Sequence, residues 1–387
     1  MKFSFLAYPL LALILLGLTA CSSTSTTTTP SGTGLLYLAA QGNQSITAYS
    51  LTLGSGSLGT IGSMIATGAM PSAIAVTPAV DALFVSNTGS NNISSYTVNS
   101  DGSLTAGSTT ATGKIPMGLA IDPAGHFLFV ANQGSSDISV FSISSASLKQ
   151  VAGSPFTTIA PGTVTPTGPV SVAVPPAGNY LYVANQFTNT VSAFSFDGTS
   201  GALKAVPGSP YAAGINPSAV AISPAGAFLL VANAGSGNVS SFAICAVASA
   251  TCLTPDGTMT AVSGSPFSAG LQPSAIAFDP GFNFVYVVDQ KSNEVFQYSF
   301  SSATGVLTPL SPAAISTGTT PVSIAIRAGA TGTNIGSTTL DVTDYVYVAN
   351  IGGSSLSGFT LTTSTGLLNV LGSAVTTEGQ PSAVVAK

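Results

Sequence analysis

One phrase returns along the sequence, and its return limits the chain to very few architectures. At residues 71–87 it reads Pro-Ser-Ala-Ile-Ala-Val-Thr-Pro-Ala-Val-Asp-Ala-Leu-Phe-Val-Ser-Asn. It opens again at Pro116, Pro169, Pro217, Pro273 and Pro321. Each copy closes on a related ending, such as Phe129-Val130-Ala131-Asn132, Tyr182-Val183-Ala184-Asn185 or Tyr347-Val348-Ala349-Asn350. These prolines stand 45, 53, 48, 56 and 48 residues apart. Periods of that size, holding several short strands each, are those of propeller blades.

The local pattern gives four strands per unit. Ser72-Ala73-Ile74-Ala75-Val76 is a strand of small residues, suited to crowding round a central axis. A Pro-Ala-Gly turn then leads to Phe127-Leu128-Phe129-Val130, an aromatic and β-branched run that reads as fully buried. Ile93-Ser94-Ser95-Tyr96-Thr97-Val98 alternates as a half-exposed third strand does. A weaker outer strand follows, often introduced by Gly-x-Leu, as at 102–104, 201–203 and 305–307. Gly and Pro, 42 and 24 in number, punctuate too densely for long helices.

The ends of the repeat region specify how the ring closes. The first unit starts at Leu35-Leu36-Tyr37-Leu38, the second-strand phrase, with no inner strand before it. Pro381-Ser382-Ala383-Val384-Val385-Ala386 is an inner strand with no second strand after it. Joined, the two make one blade, and the count becomes seven. The expected fold is therefore all-β: a seven-bladed propeller of four-stranded blades over 35–387, closed by the C-terminal strand pairing into the first blade. Closure leaves no unpaired sheet edge.

The first twenty residues read as a processing signal: Lys2, then a short apolar run from Leu10 to Leu18. Leu18-Thr19-Ala20-Cys21 resembles the lipobox of bacterial lipoproteins, which implies cleavage before Cys21 and acylation of that cysteine. Residues 21–34 are a polar Ser/Thr tether that reaches at most about 45 Å when stretched. Ser22 beside the lipidated residue resembles lipoproteins sorted to an outer membrane. The expected location is the cell envelope, lipid-anchored, at the outer membrane or in the periplasm of a Gram-negative cell. The expected partners are the membrane, through the anchor, and a sugar, peptide or protein on one propeller face. A monomer is expected.

Only 5% of residues are charged against about 25% in an ordinary domain, and the net charge is −5. That balance excludes a phosphate-backbone binder, so no nucleic acid partner is expected. The Tyr-Val-Ala-Asn and Pro-Ser-Ala-Ile-Ala phrases, with Gly-Ser-Pro-Phe/Tyr at 153–156, 208–211 and 264–267, are similar to the YVTN-repeat and lactonase-like seven-bladed propellers. The resemblance covers roughly 35–387 and rests on scaffold motifs. It implies an activity of the 6-phosphogluconolactonase type, a carboxylic ester hydrolysis, and related lactonases use His, Glu and Arg in the channel.

The inventory for such chemistry is small: one His (His126), one Arg (Arg327) and two Glu (Glu294, Glu378). Aligning the repeats puts His126 and Arg327 at one end of the ring, several blades apart, and both Glu at the other. No His–carboxylate–cation cluster assembles, so no catalytic residue, metal site or cofactor is assigned. The leading expectation is a binding or surface-presentation module without catalysis, and the alternative is a lactone hydrolase. The candidate ligand-binding ring is Asn87, Asn132, Asn185, Asn233, Asp289 and Asn350, each ending a second strand. Against it stands the ordinary use of Asn to cap its own turn. Cys245 and Cys252, close together in an exported chain, are expected to form a disulfide.

Overall fold

A computed structural model describes residues 33–160, 162–248, 252, 254–329 and 343–387. The leader, Cys21 and most of the tether lie outside the described residues. Seven antiparallel sheets stand round a common axis. The second blade shows the unit: Pro71–Val76 innermost, then Ala82–Asn87, Asn92–Val98 and Leu104–Ala111 outermost. The seventh is Pro321–Arg327, Thr343–Asn350, Ser355–Thr362 and Leu368–Val370. Among the described residues no helix is long and apolar enough to cross a membrane.

Second strands carry the core because both faces of each are covered. Successive residues of a strand point to opposite faces. In Thr33–Ala40, Leu36 and Leu38 pack on the seventh blade, while Tyr37 and Ala39 pack on the second. The core is thus a ring of interblade seams, and each fully buried aromatic contributes about 2–3 kcal/mol. Tyrosine hydroxyls lock five seams: Tyr37 donates to the Gly102 carbonyl (3.0 Å), Tyr182 to Gly257 (3.0 Å), Tyr298 to Ser268 (2.5 Å), Tyr286 to Gly366 (2.7 Å) and Tyr347 to Gly56 (2.6 Å). Burial, then the Asp101 carboxylate, pushes the Tyr37 phenol up to about 12, so it remains a donor.

The first sheet is closed by the strand Pro381–Ala386, which pairs antiparallel with Thr33–Ala40, Tyr37 opposite Val385 and Ala39 opposite Ala383. Leu35 and Lys387 exchange both backbone hydrogen bonds, at 2.7 and 2.8 Å. The strand itself begins at Thr33, paired with Thr52, two residues before the boundary read from sequence.

Outer strands depart from the simple pattern. In the third, fourth, fifth and seventh blades the outer strand is split in two, as in Leu203–Ala205 and Tyr211–Ala212, both paired with Thr190–Phe196. In three of them a Gly-Ser-Pro phrase lies in the break, and the serine side chain accepts a third-strand N–H: Ser209 from Ala193 at 2.9 Å, Ser265 from Ser241 at 2.9 Å. Cys245 and Cys252 are disulfide-bonded, Cα atoms 5.3 Å apart, in the third-to-fourth connection of the fifth blade. Closing so short a loop stabilises by about 2–3 kcal/mol.

Candidate functional site

The axis of the ring has two mouths. At the upper one lie the turns between second and third strands and the segment that precedes each inner proline. At the lower one lie the turns from inner to second strands.

The wall between them is built from the first residues after each proline. Ser382 donates to the Pro71 carbonyl (2.6 Å), Ser72 to Pro116 (3.0 Å), Ser218 to Pro273 (2.7 Å) and Ser274 to Pro321 (3.2 Å). Ser171 accepts the Val220 N–H (3.1 Å) and Ser323 that of Val384 (3.2 Å). Six of the seven blade junctions are therefore closed by a serine, each bond contributing about 1 kcal/mol. At the remaining junction Gly118 lets the neighbour approach: a Cβ there would stand 2.7 Å from the Val170 carbonyl oxygen. These residues enclose a cavity of about 380 Å³ at the upper end, bounded also by Gln41 and Ile351. None of its described lining residues is ionisable.

The candidate ring at the upper mouth does not face a ligand. Asn87, Asn132, Asn185, Asn233, Asp289 and Asn350 are wholly buried. Each asparagine spends its amide on its own turn, donating to the residues five and seven positions on: Asn233 to Asn238 and Ser240, both at 2.9 Å, and Asn132 to Asp137 (2.7 Å) and Ser139 (2.9 Å). The segment before the inner strand covers the amide, and glycine there is a spatial necessity. A Cβ on Gly214 would lie 2.5 Å from Asn233 Cγ. Asp289 solves the same turn in the opposite sense. Opposite Glu294 its side chain has no N–H to donate, and it takes the N–H groups of Leu271 (2.6 Å), Gln272 (2.6 Å), Lys291 (3.0 Å) and Ser292 (2.7 Å). The assignment of this ring to ligand contact is corrected by burial and by these bonds. What the upper mouth presents is the next residue along: Gln41, Thr88, Gln133, Gln186, Ala234, Gln290 and Ile351. Each donates its N–H to the carbonyl of the residue before the inner proline, as Gln133 does to Ile115 (2.9 Å).

The lower mouth has its own ring. In four blades the residue that follows the inner strand accepts, through its side chain, the N–H five residues on: Asp122 from Phe127 (2.6 Å), Asp279 from Phe284 (2.7 Å), Ser223 from Phe228 (3.0 Å) and Thr77 from Ala82 (3.1 Å). In the fourth blade the position is Pro175, and in the seventh and the adjoining first it is held by Arg327, opposite Tyr345, and Lys387, opposite Leu35. Neither the Arg327 nor the Lys387 side chain can accept a hydrogen bond. Asp344 stands just after this break, 3% exposed, accepting the Gly329 N–H at 2.8 Å. Burial, and next the Asp279 carboxylate, raise its carboxyl above the ordinary value, and the Arg327 guanidinium opposes them. Asp279 is likewise raised by burial, and burial lowers the Lys387 ammonium. Arg327 leans over Gly34, its Nε buried with no hydrogen-bond partner among the described residues. One sector of one mouth thus gathers two carboxyls and two cations.

His126 is an exposed turn residue of the third blade, remote from that sector, and Glu294 and Glu378 belong to the upper end. Among the described residues no group of three or more His, Cys, Asp and Glu could hold a metal ion. The sequence reading missed the lower sector because it weighed Arg327 alone. The signal was present: two cations where sister units carry Thr, Asp or Ser.

Residues 33–154 and 147–251, together more than half the chain, match the family described as "Lactonase, 7-bladed beta-propeller". The chain belongs to this family. Among solved structures it is similar to the periplasmic gluconolactonase PpgL of Pseudomonas aeruginosa, at 20% identity and a TM-score of 0.75, over 92% of this chain and 99% of that one. It is also similar to a protein of Bacteroides fragilis described as a candidate 6-phosphogluconolactonase, at 18% identity and TM-score 0.74, over 94% and 99%. A counterpart from Bacteroides uniformis gives 16%, 0.75, 92% and 99%. At these identities the likeness is one of fold. No curated protein matches the chain in sequence.

Proposed function

We propose that this lactonase-family propeller hydrolyses a lactone at the lower mouth of its channel. The observation that supports the reading is the Arg327 guanidinium acting on a buried carboxyl, Asp344, whose pKa burial raises, at a place where the lower ring carries cations in place of turn-bracing side chains. In the proposed step a water oxygen bonds to the lactone carbonyl carbon while Asp344 takes its proton. Arg327 faces the negative charge that develops on the carbonyl oxygen. The ring C–O bond then breaks, the leaving oxygen recovers the proton from Asp344, and a hydroxy acid is released. A carboxyl held above its ordinary pKa is the stronger base for that transfer.

The test is hydrolysis of a panel of γ- and δ-lactones by the protein, its Asp344→Asn variant and its Arg327→Gln variant. Turnover by the parent that both substitutions remove supports the reading. Turnover that survives both overturns it.

A second reading is a binding module without catalysis, favoured by the cavity at the other mouth, whose described lining holds serines, one glutamine, backbone and apolar side chains. It takes precedence when the panel gives no turnover and a ligand still titrates into the cavity. Export and lipid anchoring through Cys21 belong to the same proposal, with 21–34 as the tether. Cys21→Ala should release the protein from membranes, and retention there would exclude the anchor.

A further inference from the structure

Exposed large apolar side chains gather at the upper mouth, in five consecutive blades. Met70 precedes Pro71, Ile115 precedes Pro116, and Ile215 and Leu271 each stand two residues before an inner proline. In the fourth blade that segment ends in Gly168, and the ring of Phe187 lies over it, where a Cβ on Gly168 would come within 2.5 Å. These five expose between 41% and 61% of their surface. The seventh and first blades carry Thr319, Thr320 and Gln380 there, so the apolar surface is an arc and not a full circle.

The arc is held in place and joined to the cavity. Ile115 rests on Gly134 and Ile215 on Gly235, where an added Cβ would meet the isoleucine at 3.0 and 2.7 Å. Met70 and Ile115 adopt φ of 54° and 53°, a region that a β-branched residue occupies only against resistance and that glycine or asparagine would take freely. Apolar side chains are kept there although the backbone favours others. The same segments accept the N–H groups of the mouth residues, and their next residues, Met117 and Ser218 among them, line the cavity. A contiguous exposed apolar surface rimming a cavity marks a place where something binds.

We infer that the upper mouth is a binding site for a neutral amphipathic small molecule, with a hydroxyl- or carbonyl-bearing head in the cavity and an alkyl body along the Met70–Leu271 arc. Serine hydroxyls and backbone offer the head hydrogen bonds, while Met117, Leu119 and Ile351 give it apolar contact. No cation lines the cavity among the described residues to hold a phosphate or carboxylate. A lipid surface fits less well, because residue 33, where the tether joins, is at the lower end of its strand. This site is distinct from the hydrolytic sector and stands whether or not that sector turns over a lactone.

The experiment is calorimetric titration of the protein with γ-alkyl-γ-lactams from six to twelve carbons, with δ-gluconolactone as the hydrophilic control. Affinity should rise about twofold for each added methylene, the effect of a CH₂ half withdrawn from water. Ile215→Ser and Leu271→Ser, both at exposed positions, should flatten that dependence and leave the melting temperature unchanged. Met117→Trp, which narrows the cavity, should weaken every member of the series alike. Affinity independent of chain length, or tighter binding of gluconolactone, overturns the proposal. So does a dimer in sedimentation that Ile215→Ser dissociates, or capture of Cys21→Ala protein by phosphatidylcholine vesicles, since each gives the arc a different occupant.

Discussion

The two mouths of the channel carry rings built for the same purpose and broken to different degrees. At the upper mouth the end of every second strand but the first, where Ala40 stands, is a buried Asn or Asp bonded into its own turn. At the lower mouth Thr77, Asp122, Ser223 and Asp279 do the equivalent work, but the fourth blade has Pro175 there and the seventh and first put Arg327 and Lys387 there. A repeat imposes the same internal task on every unit. A position that performs the task is accounted for, and one that cannot perform it is free for another use. The intact ring is scaffold, and the broken one is where chemistry has room.

The largest expected effect concerns the frame that both mouths share. Deleting 381–387 removes the strand that closes the first sheet, and the loss should approach the whole stability of the fold, roughly 5–15 kcal/mol. Loss of the cooperative thermal transition is the readout, and a tail that could be removed without consequence would undo the closed ring. Next comes the upper ring. Asp289→Ala leaves four N–H groups without their acceptor and should cost about 3 kcal/mol, and Asn233→Ala about 2 kcal/mol, by urea denaturation. Either variant within 0.5 kcal/mol of the parent, on the order of a surface change, would reopen this ring as a ligand surface.

The lower sector should behave in the opposite way. Arg327→Gln should change stability by less than about 1 kcal/mol and lower lactone turnover by on the order of 100-fold. A large loss of stability with turnover intact would make it another brace. The smallest effect is in pH. Asp279 and Asp344 are raised above the ordinary 3.8, so on acidification the folded state takes up their protons before the unfolded chain does. Their contribution should therefore improve as pH falls through the folded values toward 3.8, and the gain should shrink in Asp344→Asn. Stability curves of parent and variant that stay parallel across that range would separate Asp344 from the proposed proton transfer.

The architecture was readable because small residues crowd the axis and aromatic runs fill the seams, and both leave a period in the chain. Blade count, strand order and closure all follow from that period. The split outer strands were not readable: Leu203–Ala205 and Tyr211–Ala212 are too short to show alternation, and the Gly-Ser-Pro break looks like any turn. For the upper ring, the capping use of Asn that sequence weighed against a ligand is the one the hydrogen bonds bear out. Lys387 is paired with Leu35 through a closure spanning most of the chain, so its nearness to Arg327 appears only once the ring is assembled.

Closure by Pro381–Ala386 also sets an order of events in the making of the protein. Thr33–Ala40 leaves the ribosome as a strand with a bare rim, and its mate is synthesised more than three hundred residues later. Until then one side of Thr33–Ala40 has no partner and is open to any other strand. A chain without Pro381–Ala386 would hold six whole blades and one open sheet, so a single strand decides between a closed body and one with an adhesive side.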